Sequence, residues 1–169
     1  INHLKESSFT IIGEYKRKSP AYGELSSISL VEQLQFYQSV GINFYSILTD
    51  DIHFGGSFND LALARKHFPN SMLLAKDFFI DKHQINCAKN CGADLILLIA
   101  AILDENTLQE FTLYAKELGL KVLIEAYSEE DIEKINQLKP ELVGINNRNL
   151  NDFKVDINHA INLKKMINY

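Results

Sequence analysis

Gly92-Ala-Asp-Leu-Ile-Leu-Leu-Ile99 is the stretch whose reading decides the fold. The glycine suits the end of a preceding helix, and from Asp94 to Ile99 the run is almost continuously apolar. A strand covered on one face alternates apolar and polar residues, whereas an unbroken run marks a strand covered on both faces, as in parallel sheets flanked by helices. Similar strand-like runs lie on either side: Thr10–Lys16, Phe44–Thr49 and Met72–Lys76 before it, Lys121–Glu125 and Leu142–Asn146 after it. Helix-like segments alternate with them near Ser29–Val40, Phe58–His67, Ile85–Cys91, Thr107–Leu118, Glu129–Leu138 and Ile157–Ile167. In Thr107–Leu118 the apolar residues Leu108, Phe111, Leu113, Tyr114, Ala115 and Leu118 follow a near-helical period. Gly41, Gly92 and Gly119 precede the second, fourth and fifth strands, where a helix end favours a left-handed residue.

Six strand–helix units make an α/β chain with parallel strands whose C-terminal ends face one way. An open doubly wound sheet and part of a (β/α)8 TIM barrel both fit that order. The Gly-rich turn of a dinucleotide fold is missing after the first strand, and polar residues close strand after strand, which favours the barrel. A complete barrel runs to about 250 residues. The expectation is therefore a single, incomplete barrel domain over residues 1–169, supplying strands one to six. A start at Ile1 rather than Met points to a longer polypeptide.

A formal charge of −5 with no basic block argues against nucleic acid as a partner, although local lysines and arginines can still hold a small anion. No apolar run approaches the roughly 18 residues of a membrane span and no signal peptide is visible, so no membrane partner and a cytoplasmic location are expected. Cys87 and Cys91 lie four apart on a predicted helix and read as reduced packing thiols rather than half of a metal site.

The strand ends carry the chemistry. Glu14 and Lys16 are two apart, so in a strand they point the same way, and two charges on one apolar face are costly unless paired or used. A surface ion pair is the competing reading. Lys76 follows Met-Leu-Leu-Ala, and a lysine at the rim of a desolvated site can serve as an acid. Glu125 follows Val-Leu-Ile and could equally open a helix. Asn146, Asn147 and Arg148 close the sixth strand, where a guanidinium fork suits a carboxylate or phosphate, or where the group simply caps a helix. His3, His53, His67, His83 and His159 form no ligand spacing and are read as non-catalytic.

Ile12-Gly-Glu-Tyr-Lys-Arg-Lys-Ser-Pro20, Phe54-Gly-Gly-Ser57, Lys76-Asp-Phe78, Gly92–Ile99, Leu123-Ile-Glu125 and Gly144-Ile-Asn-Asn-Arg-Asn-Leu150 together resemble the indole-3-glycerol phosphate synthase family, in its order and at its spacing. The resemblance covers essentially the whole chain. It implies a (β/α)8 barrel of tryptophan biosynthesis, a carbon–carbon lyase (carboxy-lyase). Such an enzyme closes the pyrrole ring of 1-(o-carboxyphenylamino)-1-deoxyribulose 5-phosphate with loss of carbon dioxide and water, using no cofactor and no metal. It implies Lys76 as the general acid toward the ribulose carbonyl. Glu125 matches the carboxylate that stabilises cationic character, and Lys16, with Glu14 beside it, a second acid near the substrate carboxylate. The resemblance does not apportion the work between the two lysines. Asn146 and Arg148 match contacts to the ribulose hydroxyls and the anthranilate carboxylate; Ser19, Pro20, Phe54, Phe78 and Leu97 match the wall around the aromatic ring.

Departures are also implied. Ala75 stands where the family usually has arginine, and the phosphate grip after strands seven and eight, with a Glu and a Ser at the end of strand seven, falls outside these residues. The isolated residues are expected to be inactive and poorly soluble, with open edges at strands one and six. Fusion to or association with other tryptophan-pathway enzymes is compatible with the resemblance. The alternatives are another phosphate-binding barrel, such as phosphoribosylanthranilate isomerase, and a non-catalytic fragment or assembly partner. The first would need a Cys/Asp acid–base pair on strands. The second would have no use for an acid and a base together.

Overall fold

The computed structural model describes residues 9–25, 27–149 and 154–169; His3 and Leu150, both named from the sequence, lie outside them. The chain divides into two compact units. One runs to Lys76 and takes in Cys91–Ala93; the other comprises Asp77–Asn90 and Asp94–Tyr169.

In chain order the first unit holds β1 (Gly13–Tyr15), β2 (Lys18–Ser19), β3 (Gly23–Glu24), α1 (Leu30–Ser39), β4 (Phe44–Leu48), α2 (Asp51–Phe54), α3 (Phe58–His67) and β5 (Met72–Lys76). Strand β4 pairs in parallel with β1 on one side and β5 on the other, with Glu14 opposite Ser46 and Ser46 opposite Leu74. Alternation then assigns the faces. Tyr45 meets the rings of Tyr37 and Phe68, so Tyr45, Ile47, Leu73 and Ala75 lie on the helix-covered face. Gly13 lies against Tyr37, so close that a Cβ there would come within 2.5 Å of the ring. Glu14, Ser46, Leu48, Leu74 and Lys76 therefore share the opposite face.

Helix α1 starts where Ser29 and Glu32 form a reciprocal capping box, and α3 starts at the Ser57 cap. Leu34, Leu61 and Ala64 are fully buried against the sheet. Burying a leucine of this kind stabilises by about 1.5–3 kcal/mol. Arg65 of α3 explains why residues 91–93 belong here: its guanidinium donates to the carbonyls of Gly92, Pro69 and Ser71 at 2.8–2.9 Å.

The second unit holds α4 (Lys82–Asn90), β6 (Leu95–Ile99), α5 (Glu105–Glu117), β7 (Lys121–Ala126), α6 (Glu129–Leu138), β8 (Leu142–Ile145) and α7 (His159–Lys164). Strand β7 pairs in parallel with β6 and β8, with Ile99 opposite Glu125 and Glu125 opposite Gly144. All five residues of β6 are buried, as its unbroken apolar run requires. Asp104 caps α5, and Ser128 with Asp131 forms the capping box of α6. Both units thus repeat parallel strand and helix in the order of a (β/α)8 barrel, and the described residues supply six βα units of it.

Several boundaries differ from the sequence reading. The first strand is three residues, not seven, because Ile11 and Ile12 stand 50% and 40% exposed ahead of it. Between β1 and α1 the chain forms a short antiparallel hairpin, β2–β3, and after β4 it forms the helical turn α2, closed by Gly55. Helix α5 starts at Glu105 rather than Thr107, because the Asp104 carboxylate accepts from the Thr107 amide one turn in. Helix α4 starts at Lys82 rather than Ile85, because the Asp81 carboxylate accepts from the His83 amide and Gln84 accepts from the Asp81 amide, and α7 is shorter than the apolar pattern suggested. Cys87 and Cys91 form no disulfide, and one turn of α4 brings the His83 Nε2 to 3.6 Å from the Cys87 sulfur. Among the described residues no helix is long and apolar enough to cross a membrane.

Candidate active site

The first unit gathers three of the four expected catalytic residues. Glu14, in the middle of β1, projects from the face opposite the helices. Its Oε1 lies 2.5 Å from Lys16 Nζ and its Oε2 lies 2.6 Å from Lys76 Nζ. Lys76 is the last residue of β5, and Lys16 follows the last residue of β1. One carboxylate therefore bridges two ammonium groups delivered by different strands. All three side chains are about one-quarter to one-third exposed, at the mouth of the sheet rather than sealed within it.

The electrostatics follow from that geometry. Burial alone pushes the Glu14 carboxyl up. The Lys76 charge, the hydrogen bonds from Lys16 and Lys76, and the Lys16 charge together outweigh it and hold the group below its ordinary value of 4.5. Two cations and one anion leave a positive excess that suits an anionic ligand.

The loop after β1 is tied down beside this cluster. Arg17 grips Asp60 through both guanidinium nitrogens at 2.6 Å and donates to the Gly55 carbonyl at 2.9 Å. Asp60 is 6% exposed and also accepts from the Ser57 hydroxyl. Sequence reasoning missed this pair. Nothing local to Arg17 names a partner 43 residues away. Ser19 lies on β2, its hydroxyl accepting from the Tyr22 amide at 3.3 Å, and Pro20 is exposed at the hairpin turn. Phe54 is half-buried at the end of α2, where the Asp50 carboxylate accepts from the amides of His53 and Phe54.

The second unit carries the other residues. Glu125 sits one residue before the end of β7, and its carboxylate accepts from Asn146 Nδ2 at 3.2 Å. Asn146 directly follows β8, and its Oδ1 accepts from the Arg148 amide at 2.9 Å. That asparagine fixes both the carboxylate and the turn that presents Arg148. Asn147 holds the same turn from the other side, its Oδ1 accepting from the Ala160 amide at 2.8 Å. Phe78 is half-buried in the segment after β5, and Leu97 is buried in the middle of β6. Ala75, at the position where the resembled family usually has arginine, is fully buried on the helix-covered face of the first unit.

Comparison with known proteins gives the family. The family model described as indole-3-glycerol phosphate synthase matches residues 1–169. Relatives named indole-3-glycerol phosphate synthase from Bacillus cereus (strain G9842) and Bacillus mycoides (strain KBAB4) are each 44% identical over 161 residues. Those matches cover 95% of this chain and 63% of the relative. A Bacillus anthracis relative of the same name is 43% identical over the same shares. The chain thus spans about 63% of the length of the curated relatives it matches. A full-length family match and this level of identity lead to one conclusion: the chain belongs to the indole-3-glycerol phosphate synthase family.

Proposed function

We propose that these residues form the six-unit part of one barrel domain that carries out the synthase reaction. The reaction converts 1-(o-carboxyphenylamino)-1-deoxyribulose 5-phosphate to indole-3-glycerol phosphate, carbon dioxide and water, in tryptophan biosynthesis in the cytoplasm. The observation that carries the reading is the Glu14 carboxylate shared by Lys16 and Lys76. An ion pair kept only for stability has little use for two cations on one acid at a strand mouth. A reaction that must protonate a carbonyl and later expel water needs proton donors held in fixed positions.

In this account Lys76 turns from Glu14 to the ribulose carbonyl and protonates it while the aromatic carbon attacks. Glu125, oriented by Asn146, balances the cationic ring that results and helps take up a proton. Loss of carbon dioxide restores aromaticity and draws the sequence forward. Lys16 assists departure of the hydroxyl as water. Arg148 and Asn146 hold the carboxylate and the ribulose hydroxyls, and Ser19, Pro20, Phe54, Phe78 and Leu97 enclose the aromatic ring. The phosphate is gripped by units beyond these six.

The test is direct. Full-length protein incubated with the substrate and no added metal or cofactor should yield the indole product and carbon dioxide in equal amounts. No product, with the substrate bound, would refute the reading.

A further inference from the structure

Ser46 is 4% exposed, and its hydroxyl meets no hydrogen-bonding partner among the described residues. A buried hydroxyl without a partner is costly, so a fold that retains one needs a reason. Strand register identifies the candidates for a partner. On the face turned away from the helices, Ser46 has Phe44 and Leu48 along its own strand, Leu74 beside it on β5 and Glu14 beside it on β1. Only Glu14 carries a side-chain acceptor. Neighbouring strands stand about 4.8 Å apart, so a serine hydroxyl can reach the adjoining carboxylate directly or through one bridging water.

We propose that Ser46 is a positioning residue for Glu14, donating a hydrogen bond to its carboxylate when Lys76 leaves to serve the substrate. The inference rests on the synthase reading above. In the resting arrangement both Glu14 oxygens are occupied, Oε1 by Lys16 and Oε2 by Lys76. When Lys76 swings to the carbonyl and gives up a proton, Oε2 loses its donor. The carboxylate would then be free to follow the lysine or to recapture it early. A hydroxyl beneath it supplies a replacement donor without adding a charge, so Glu14 stays in place and the released lysine keeps to its task. Ser46 touches no substrate atom in this scheme.

The experiment compares wild-type and Ser46→Ala full-length protein by steady-state kinetics and thermal unfolding. Removing an unsatisfied buried hydroxyl should leave Tm unchanged or slightly raised. The expected result is a kcat about tenfold to a hundredfold lower, the worth of one hydrogen bond to a charged group, with KM nearly unchanged. Unchanged kcat would overturn the proposal. A fall in kcat accompanied by a comparable loss of Tm would also overturn it, because it would mark Ser46 as a packing residue. A wild-type protein without turnover would refute the synthase reading and the role of Ser46 with it.

Discussion

The side chains of Glu14 and Lys76 meet at 2.6 Å although 62 positions separate them in sequence. Their strands are not paired with each other; β4 lies between, so the contact bridges about two strand spacings, roughly 9–10 Å. A glutamate and a lysine are long enough to close that gap, and few shorter pairs would be. The contact ties the ends of two strands together above the apolar residue Leu48, which stands opposite Lys76 in register.

Glu14→Gln keeps the shape of this bridge and removes its charge. Because Lys16 and Lys76 hold the Glu14 carboxyl below 4.5 in the folded protein, ionised Glu14 contributes stability that is present above that value. It is lost as pH falls through the lower folded-state value. Wild type should therefore be more stable than Glu14→Gln near neutrality, with the gap closing in acid below about pH 4.5. Paired thermal melts between neutral and acid pH read this out; a gap independent of pH would count against the charge bridge.

Arg17 and Asp60 make the second long-range tie near the site. Arg17→Ala leaves a 6% exposed carboxylate with the Ser57 hydroxyl as its remaining donor among the described residues. Charge-assisted hydrogen bonds contribute about 1.5–3 kcal/mol, and the partial exposure of Arg17 argues for the lower end. Denaturant unfolding should show a loss of that order, and a change within measurement error would mean that solvent replaces the pair.

Gly56 is required by close approach. A Cβ at this position would lie 2.1 Å from the Leu48 carbonyl oxygen and 2.5 Å from its carbon, both backbone atoms of a central strand that cannot step aside. Gly56→Ala should destabilise by about 1–3 kcal/mol or more and displace the turn that presents Phe54. Wild-type stability in that variant would show that the loop has room to shift.

The strands were legible because their signal is collective. Short strand-like runs alternating with helix-like segments support one another, so Leu95–Ile99 and Phe44–Leu48 fall inside runs read as strands, and β5 begins and ends where it was read. The hairpin β2–β3 was not legible, since two residues on each side make no pattern. Helix starts were missed where the cap lay upstream of the apolar period, as at Asp104. In the site, Glu14 with Lys16 could be inferred from spacing, because two residues apart on a strand is a local relation. Lys76 meeting Glu14, Asn146 holding Glu125, and the Arg17–Asp60 pair are set by which strands and helices come together, and one sequence does not encode them locally. Ser46 was invisible for the opposite reason: a serine inside an apolar run looks like a tolerated small residue until its hydroxyl is found without a partner.

The central claim is that Lys76 is the proton donor to the ring-closing step. The most direct measurement is the steady-state kinetics of Lys76→Ala in the full-length protein with 1-(o-carboxyphenylamino)-1-deoxyribulose 5-phosphate. Loss of a positioned general acid should lower kcat by about 10²–10⁴-fold while KM moves far less. Turnover at the wild-type rate would contradict the account.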